Sequence, residues 1–357
     1  MKWPAAAFAA AFLLGAGTAR AHVVFGTETL RGLVVQSDLV ARVRILDPGT
    51  LDPAAPGSQL ALGEPVVVAL VLELIKGPPA AGVAPAPTPL RFVQHGHGVP
   101  LYARGQETVI FLQKLERTRE LAALAGRVAW VSIQEGEASP ADARLAAALR
   151  AYAALEKLPL AQQLQALRQI TLKLLASPDP LLASSAVRDV ALLRDAPILM
   201  AQDLPALDPI LSNPATAIGV RLALLSELER RRLVEGPPRW VKLLRETQGA
   251  DQVAVVQAAA AHPSAGLTDE LVTLLASPDA LLVSAAAISL GVPGNARAVE
   301  PLGKLLSSST ERVRMAAIRG LGRIGTPAAQ AKLAQAAESH PDEDTRRHAG
   351  AAAARQR

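Results

Sequence analysis

Apolar and polar positions along this chain follow two different periods, and the change falls near residue 140. Before it, alternation with period two is clearest in Val40-Ala41-Arg42-Val43-Arg44-Ile45. Strand-like runs cover Leu39 to Leu46, Pro65 to Ile75, Pro89 to Gln94, Glu107 to Gln113 and Arg127 to Gln134. A short amphipathic helix, Glu28 to Gln36 with Thr27 as its expected cap, precedes them. The unbroken apolar run Val66 to Leu72 suits a strand buried on both faces. Asp47 to Glu64 and Gly77 to Pro89, rich in turn-forming residues, read as loops. Five strands of this size predict a small barrel or sandwich.

After residue 140 the period becomes helical, and one helical hairpin is written repeatedly. Leu274-Leu275-Ala276-Ser277-Pro278-Asp279 recurs from Leu305 onward, and Leu174-Leu175-Ala176-Ser177-Pro178-Asp179 is a near-identical earlier copy. The anchors 174, 210, 243, 274, 305 and 336 are spaced by 36, 33, 31, 31 and 31, the period of a stacked helix pair. Within one copy, Ser277 is the expected N-cap and Pro278 the first helical residue, where a missing N–H costs nothing. Ser177-Pro178 and Asn213-Pro214 follow the same grammar. Val313, Ala316, Ala317, Leu321 and Ile324 fall on one helix face, Gly322 and Gly325 read as the stop, and Thr326-Pro327 caps the next helix. Asp142 to Lys157 and Leu160 to Ala176 read as the first hairpin, with Ala146, Leu149, Ala153 and Leu155 as core positions. The fold class expected is α+β and multidomain: a small β-barrel or sandwich over residues 22–140, then an α-α superhelical solenoid over 141–357.

The run V-R-M-A-A-I-R-G-L-G-R-I-G at Val313 to Gly325 resembles the second helix of a HEAT repeat of the short bacterial type, as does Leu281 to Gly291, with the likeness fading toward residue 142. That resemblance implies that Arg314 braces adjacent helices. Ser37 to Val43, Val71 to Gly77 and Tyr102 to Leu112 together resemble exported bacterial domains of an oligonucleotide-binding-like, netrin-like barrel over about 90 residues. The likeness implies a fold, not an activity, because netrin-like protease inhibitors depend on an N-terminal cysteine framework and this chain has no cysteine.

Composition adds the compartment and removes some partners. Met1 to Ala21 has the three parts of a signal peptide: Lys2, the apolar run from Trp3 to Gly15, and the Ala19-Arg20-Ala21 cleavage pattern. An exported chain beginning at His22, periplasmic or secreted, is expected. It would fold without disulfides and without a further membrane span. The formal charge of +5 includes Lys2 and Arg20, which leaves +3 for residues 22–357. Aromatics are 3% of the chain, too few for base-stacking platforms, so no nucleic-acid partner is expected.

Motifs for catalysis are missing from the sequence: no phosphate loop, no H-E-x-x-H, no G-x-S-x-G and no cysteine nucleophile. No cofactor is expected. His95 and His97 alternate in a Gly-containing turn, and His22 would offer an amine and an imidazole at the processed N-terminus; together they carry a metal-binding alternative. A second alternative is a lyase, implied by the enzymes that share the HEAT resemblance and opposed by the leader. Arg230-Arg231-Arg232, with Arg239, Lys242 and Arg245 nearby, reads as a solvated helix end among interleaved glutamates. The main expectation is a noncatalytic interaction protein. If Val313, Ala316, Ala317 and Leu321 face the core, then Arg312, Met315 and Arg319 face outward. Subtracting 31 adds Leu281, Ser284 and Ile288 to that row, and subtracting 131 adds Leu181 and Arg188. These eight residues are the expected surface for a protein partner.

Overall fold

The computed structural model describes residues 29–49, 66–78, 89–94, 102–117, 128–133, 139–140 and 142–355. Residues 1–21, His22, His95, His97 and Thr27 lie outside them. Contacts divide the chain into two compact units, Met1–Leu158 and Pro159–Arg357.

The first unit opens with α1 (Leu30–Gln36), capped by Thr29, whose hydroxyl accepts from the Gly32 N–H at 3.0 Å. The cap is therefore two residues later than Thr27. The strands β1 (Leu39–Asp47), β2 (Val66–Lys76), β3 (Leu90–Val93), β4 (Glu107–Lys114) and β5 (Trp130–Ser132) follow, and a two-residue β6 (Ser139–Pro140) pairs with β4. β1 bonds to β2 on one side and to β4 on the other, so the ring β1-β2-β3-β5-β4 closes into a barrel. Its pairs are antiparallel except β3 with β5, which run parallel. Period-two alternation puts Leu39, Ala41, Val43 and Ile45 inside with Val67, Ala69, Phe92, Ile110 and Leu112. Phe92 and Tyr102 meet edge to face, with ring centroids 5.9 Å apart. The apolar run on β2 is not buried on both faces: Val67 and Ala69 are buried, while Val66, Val68 and Leu70 are half-buried. A barrel has one interior, and only alternate residues reach it.

The helix α2 (Ala143–Leu155) also belongs to this unit. Asp142 caps it, accepting from the Arg144 N–H at 2.6 Å, and it buries Ala146, Leu149, Tyr152 and Ala153, with Leu155 half-buried. It packs on α1 and β2. Arg150 pairs with Glu73 of β2, and Lys76 bridges Glu156 (2.8 Å) and the Val34 carbonyl (2.6 Å). The segment expected as the first arm of the first hairpin thus closes the barrel unit, which ends at Leu158 rather than at 140.

The second unit is six helical hairpins: α3 (Leu160–Leu175) with α4 (Pro180–Leu192), α5 (Leu204–Ser212) with α6 (Ile218–Arg230), and α7 (Gly236–Glu246) with α8 (Gly249–Ala259) come first. α9 (Ala265–Leu274) with α10 (Ala280–Ser289), α11 (Val299–Leu305) with α12 (Glu311–Ile324), and α13 (Pro327–Ser339) with α14 (Glu343–Ala354) complete the array. Second helices stack on second helices, α4 on α6, α6 on α8, α8 on α10, α10 on α12 and α12 on α14. Each hairpin thereby buries its apolar stripe against its neighbours, as a quasi-one-dimensional array requires.

The caps differ from the expected ones. Asp279 begins α10, its carboxylate accepting from the Leu281 N–H (2.8 Å), and Asp179 does the same for α4 through the Leu181 N–H (2.9 Å). Ser277 and Ser177 sit two residues earlier and accept from the aspartates' own N–H groups, at 3.1 and 3.2 Å. Asn213 ends α5, and α6 starts only at Ile218. Gly322 lies inside α12, whose stop is Gly325 in the left-handed conformation at φ 69°. Thr326 caps α13 with Pro327 following, as expected. Where α12 crosses α10, a Cβ on Gly320 would stand 2.5 Å from the Ala287 carbonyl oxygen, so the two backbones touch.

Candidate functional site

Arg314 spans two hairpins as a brace. Its guanidinium donates to the carbonyls of Ser308 (3.0 Å) and Ser309 (3.2 Å), to the Thr345 hydroxyl (2.9 Å) and to Asp342 (3.1 Å). Asp342 caps α14, accepting from the Thr345 N–H at 2.9 Å. The two bonds from Thr345, and then Arg314, hold its carboxyl down to a pKa of about 2. The arginine cluster at the end of α6 is structural as well, but it is not the solvated helix end expected. Arg231 is half-buried and donates to the carbonyls of Ala196 (2.8 Å), Val190 (2.9 Å) and Leu193 (3.0 Å), closing the C-terminus of α4. Arg230 pairs with Glu227, Arg239 with Asp208 (2.6 Å), Arg245 with Glu270 and Lys242 with Glu246 (3.7 Å). Glu229 accepts from the Trp240 indole N–H (2.9 Å) and meets His262 Nδ1 (2.6 Å), while His262 stacks on Trp240. These charges are spent inside the array.

The second-helix layer behaves differently at α10 and α12. Val313, Ala316, Ala317 and Leu321 are buried, as the alignment requires, and Arg312 and Arg319 are exposed two turns apart on the far side of α12. Leu281 is 53% exposed, and Ile288 and Met315 are half-buried. Six of the eight residues singled out in the sequence, Leu281, Ser284, Ile288, Arg312, Met315 and Arg319, line one groove of about 480 Å³. Ser284 is buried rather than presented: its hydroxyl donates to the Ala280 carbonyl at 2.6 Å, and it forms part of the floor. Leu181 and Arg188 are on α4, half-buried and exposed respectively, and do not line this groove.

Val253 and Gln257 of α8 complete the wall. They escaped the sequence reading although the signal was present: each lies 31 positions before Ser284 and Ile288, the step already used between α10 and α12. A second groove of about 860 Å³ adjoins the first, shares Ile288, Met315 and Arg319 with it, and adds Arg323, His348 and Arg355. Among the described residues, no helix is long and apolar enough to cross a membrane, and no group of three or more His, Cys, Asp or Glu is placed to hold a metal ion.

Fold and groove together define the class: a two-unit protein in which a small β-barrel is followed by a helical-repeat solenoid. The HEAT-repeat family profile matches residues 268–354, which span the last three hairpins. No protein of curated function matches the chain. Among solved structures, it is similar to a designed armadillo repeat protein in complex with the peptide (KR)4, at 20% identity over 54% of this chain and 99% of that one, with a TM-score of 0.37. It is also similar to YibA of E. coli, at 15% identity over 60% and 78% with a TM-score of 0.40. Human deoxyhypusine hydroxylase in complex with glycerol is a further similar structure, at 20% identity over 62% and 82% with a TM-score of 0.30.

Proposed function

We propose that this chain is a noncatalytic, exported scaffold that binds a protein partner through the second-helix layer of its repeats. The observation that carries this reading is the groove lined by α8, α10 and α12, where Leu281 is exposed and Ile288 and Met315 are half-buried, so that one hollow of the second-helix layer presents apolar side chains together. Solenoid surfaces of this kind recognise extended or helical segments by shape and pocket chemistry rather than by reaction. Export is supported by the signal-peptide pattern of residues 1–21, which would place the protein in the periplasm or outside the cell. The barrel's strand order, closed as β1-β2-β3-β5-β4 with β3 parallel to β5, supports an oligonucleotide-binding-like, netrin-like fold for the first unit.

One experiment tests the reading. The full chain, tagged at its C-terminus, is recovered from its native host with whatever it holds, and its N-terminus is sequenced. The expected result is a chain beginning at His22 in complex with a partner protein that Leu281→Asp with Ile288→Asp releases, without change in melting temperature. A chain still beginning at Met1 overturns export. A double variant that unfolds shows these residues to be core and ends the scaffold reading.

A further inference from the structure

We infer that the occupant of the α10–α12 groove is an acidic protein segment with apolar side chains set between its carboxylates. This rests on the scaffold reading and names the chemistry of its partner. Arg312 and Arg319 carry no hydrogen bond or ion pair with any described residue. Arg231, Arg239 and Arg245 of the preceding hairpins, by contrast, are each engaged. Two unpaired guanidinium groups flanking an apolar floor are a recognition surface that lacks its counter-charge.

The neighbouring charges have the same sign. Across the two adjoining grooves the ionised lining groups are Arg312, Arg319, Arg323 and Arg355, with Glu311 the one carboxylate, while the whole chain of 357 residues carries only +5. The positive field is therefore local. Between the arginines lie Leu281, Ile288 and Met315, which offer nothing to a purely ionic ligand and fit aliphatic side chains. A volume of about 480 Å³ holds a few such side chains rather than a whole helix. Seven residues of α12 separate Arg312 from Arg319, about 10.5 Å along the axis. About three residues of extended chain span that distance. A nucleic acid would match the charge but not the floor, and no Phe, Tyr or Trp follows Trp240 in the sequence to stack on bases.

The test uses the full chain and three fluorescent probes: the peptide (Glu-Leu-Ser)3-Glu, its counterpart with every Glu replaced by Lys, and a ten-nucleotide oligothymidine. The acidic peptide should bind at least tenfold more tightly than the basic one, and its affinity should fall as salt rises. Arg312→Glu with Arg319→Glu should reverse the preference between the peptides while leaving the melt unchanged, since neither side chain has a partner to lose. Equal binding of the two peptides, binding indifferent to the charge reversal, or preferential binding of the oligonucleotide would each overturn the proposal. Failure of the scaffold reading is distinguishable: a native partner lost on Leu281→Asp/Ile288→Asp but kept on Arg312→Glu/Arg319→Glu leaves the scaffold standing and removes the acidic segment.

Discussion

Replacing Arg231 by Met should open the first two hairpins of the array and leave the last three intact. Methionine keeps the unbranched stem and removes every donor, so Val190, Leu193 and Ala196 lose their carbonyl partner together. A hydrogen bond from a charged donor contributes about 1.5–3 kcal/mol. The three do not sum, because the freed carbonyls regain water and the native guanidinium is itself held at a cost. Burial pushes its pKa down, Arg230 beside it pushes the same way, and its Nε has no hydrogen-bond partner. A net loss of about 2–4 kcal/mol follows, the range expected for breaking a buried polar network. Because repeats couple mainly to their neighbours, that loss should be local. Hydrogen exchange should read it directly: amides in the last turn of α4 and in residues 193–199 should exchange about 30- to 700-fold faster, at about 1.4 kcal/mol per factor of ten. Amides of α12 and α14 should not change. Arg231→Lys should recover less than half, since one ammonium cannot reach three separated carbonyls. Arg230→Met is the control: it removes the pair with Glu227 but none of the bonds to the three carbonyls, so amides of residues 193–199 should keep their protection. Unchanged protection around 190–199 in Arg231→Met would refute the reasoning.

Two further predictions concern helix starts and pH. Asp279→Ala should lower stability by about 1 kcal/mol in a denaturant melt, and Ser277→Ala by less, because the carboxylate and not the hydroxyl caps α10; the opposite order would return the cap to Ser277. Asp342 is held at a pKa of about 2 against an ordinary value of 3.8, so its contribution to stability is complete above about 3.8 and is lost as pH falls toward 2. Urea midpoints measured between pH 5 and pH 2 should show that loss, and Asp342→Asn should flatten the profile over the same window.

The repeats were legible in the sequence because each hairpin writes its own period. Anchors spaced by 31 to 36 residues located all six, and the face carrying Val313, Ala317 and Leu321 was assigned correctly. The caps were misread because Ser-Pro-Asp offers two acceptors two residues apart. The rule favouring proline at the first helical position selects the serine, whereas the carboxylate, with two N–H groups in reach, wins in the fold. The fate of α2 was not legible, since its apolar stripe suits a barrel wall as well as a hairpin, and periodicity does not name the surface it covers. Arg231 was hidden for a related reason: its acceptors lie 35 to 41 residues away, on a hairpin the local charge pattern does not mention. Strand runs could be found one by one, but the parallel pairing of β3 with β5 is a long-range fact that no local pattern records. At the groove the period supplied six residues, and extending it by one more step would have supplied Val253 and Gln257.

The crossing of α12 over α10 at Gly320 has a mechanical consequence. With a Cβ on Gly320 reaching to 2.5 Å from the Ala287 carbonyl oxygen of α10, and a Cβ on Gly291 to 2.9 Å from the Gly320 Cα, there is no room for a side chain at this crossing and the two helices are held in close register. Load carried along the array passes through this pair as through a rivet. The next seam, α12 on α14, is looser: a Cβ on Gly322 would keep an ordinary 3.5 Å from Ala352. Stretching or bending the array should therefore deform the wider opening beside His348 first, while Leu281, Ile288 and Met315 hold their spacing as a rigid jaw.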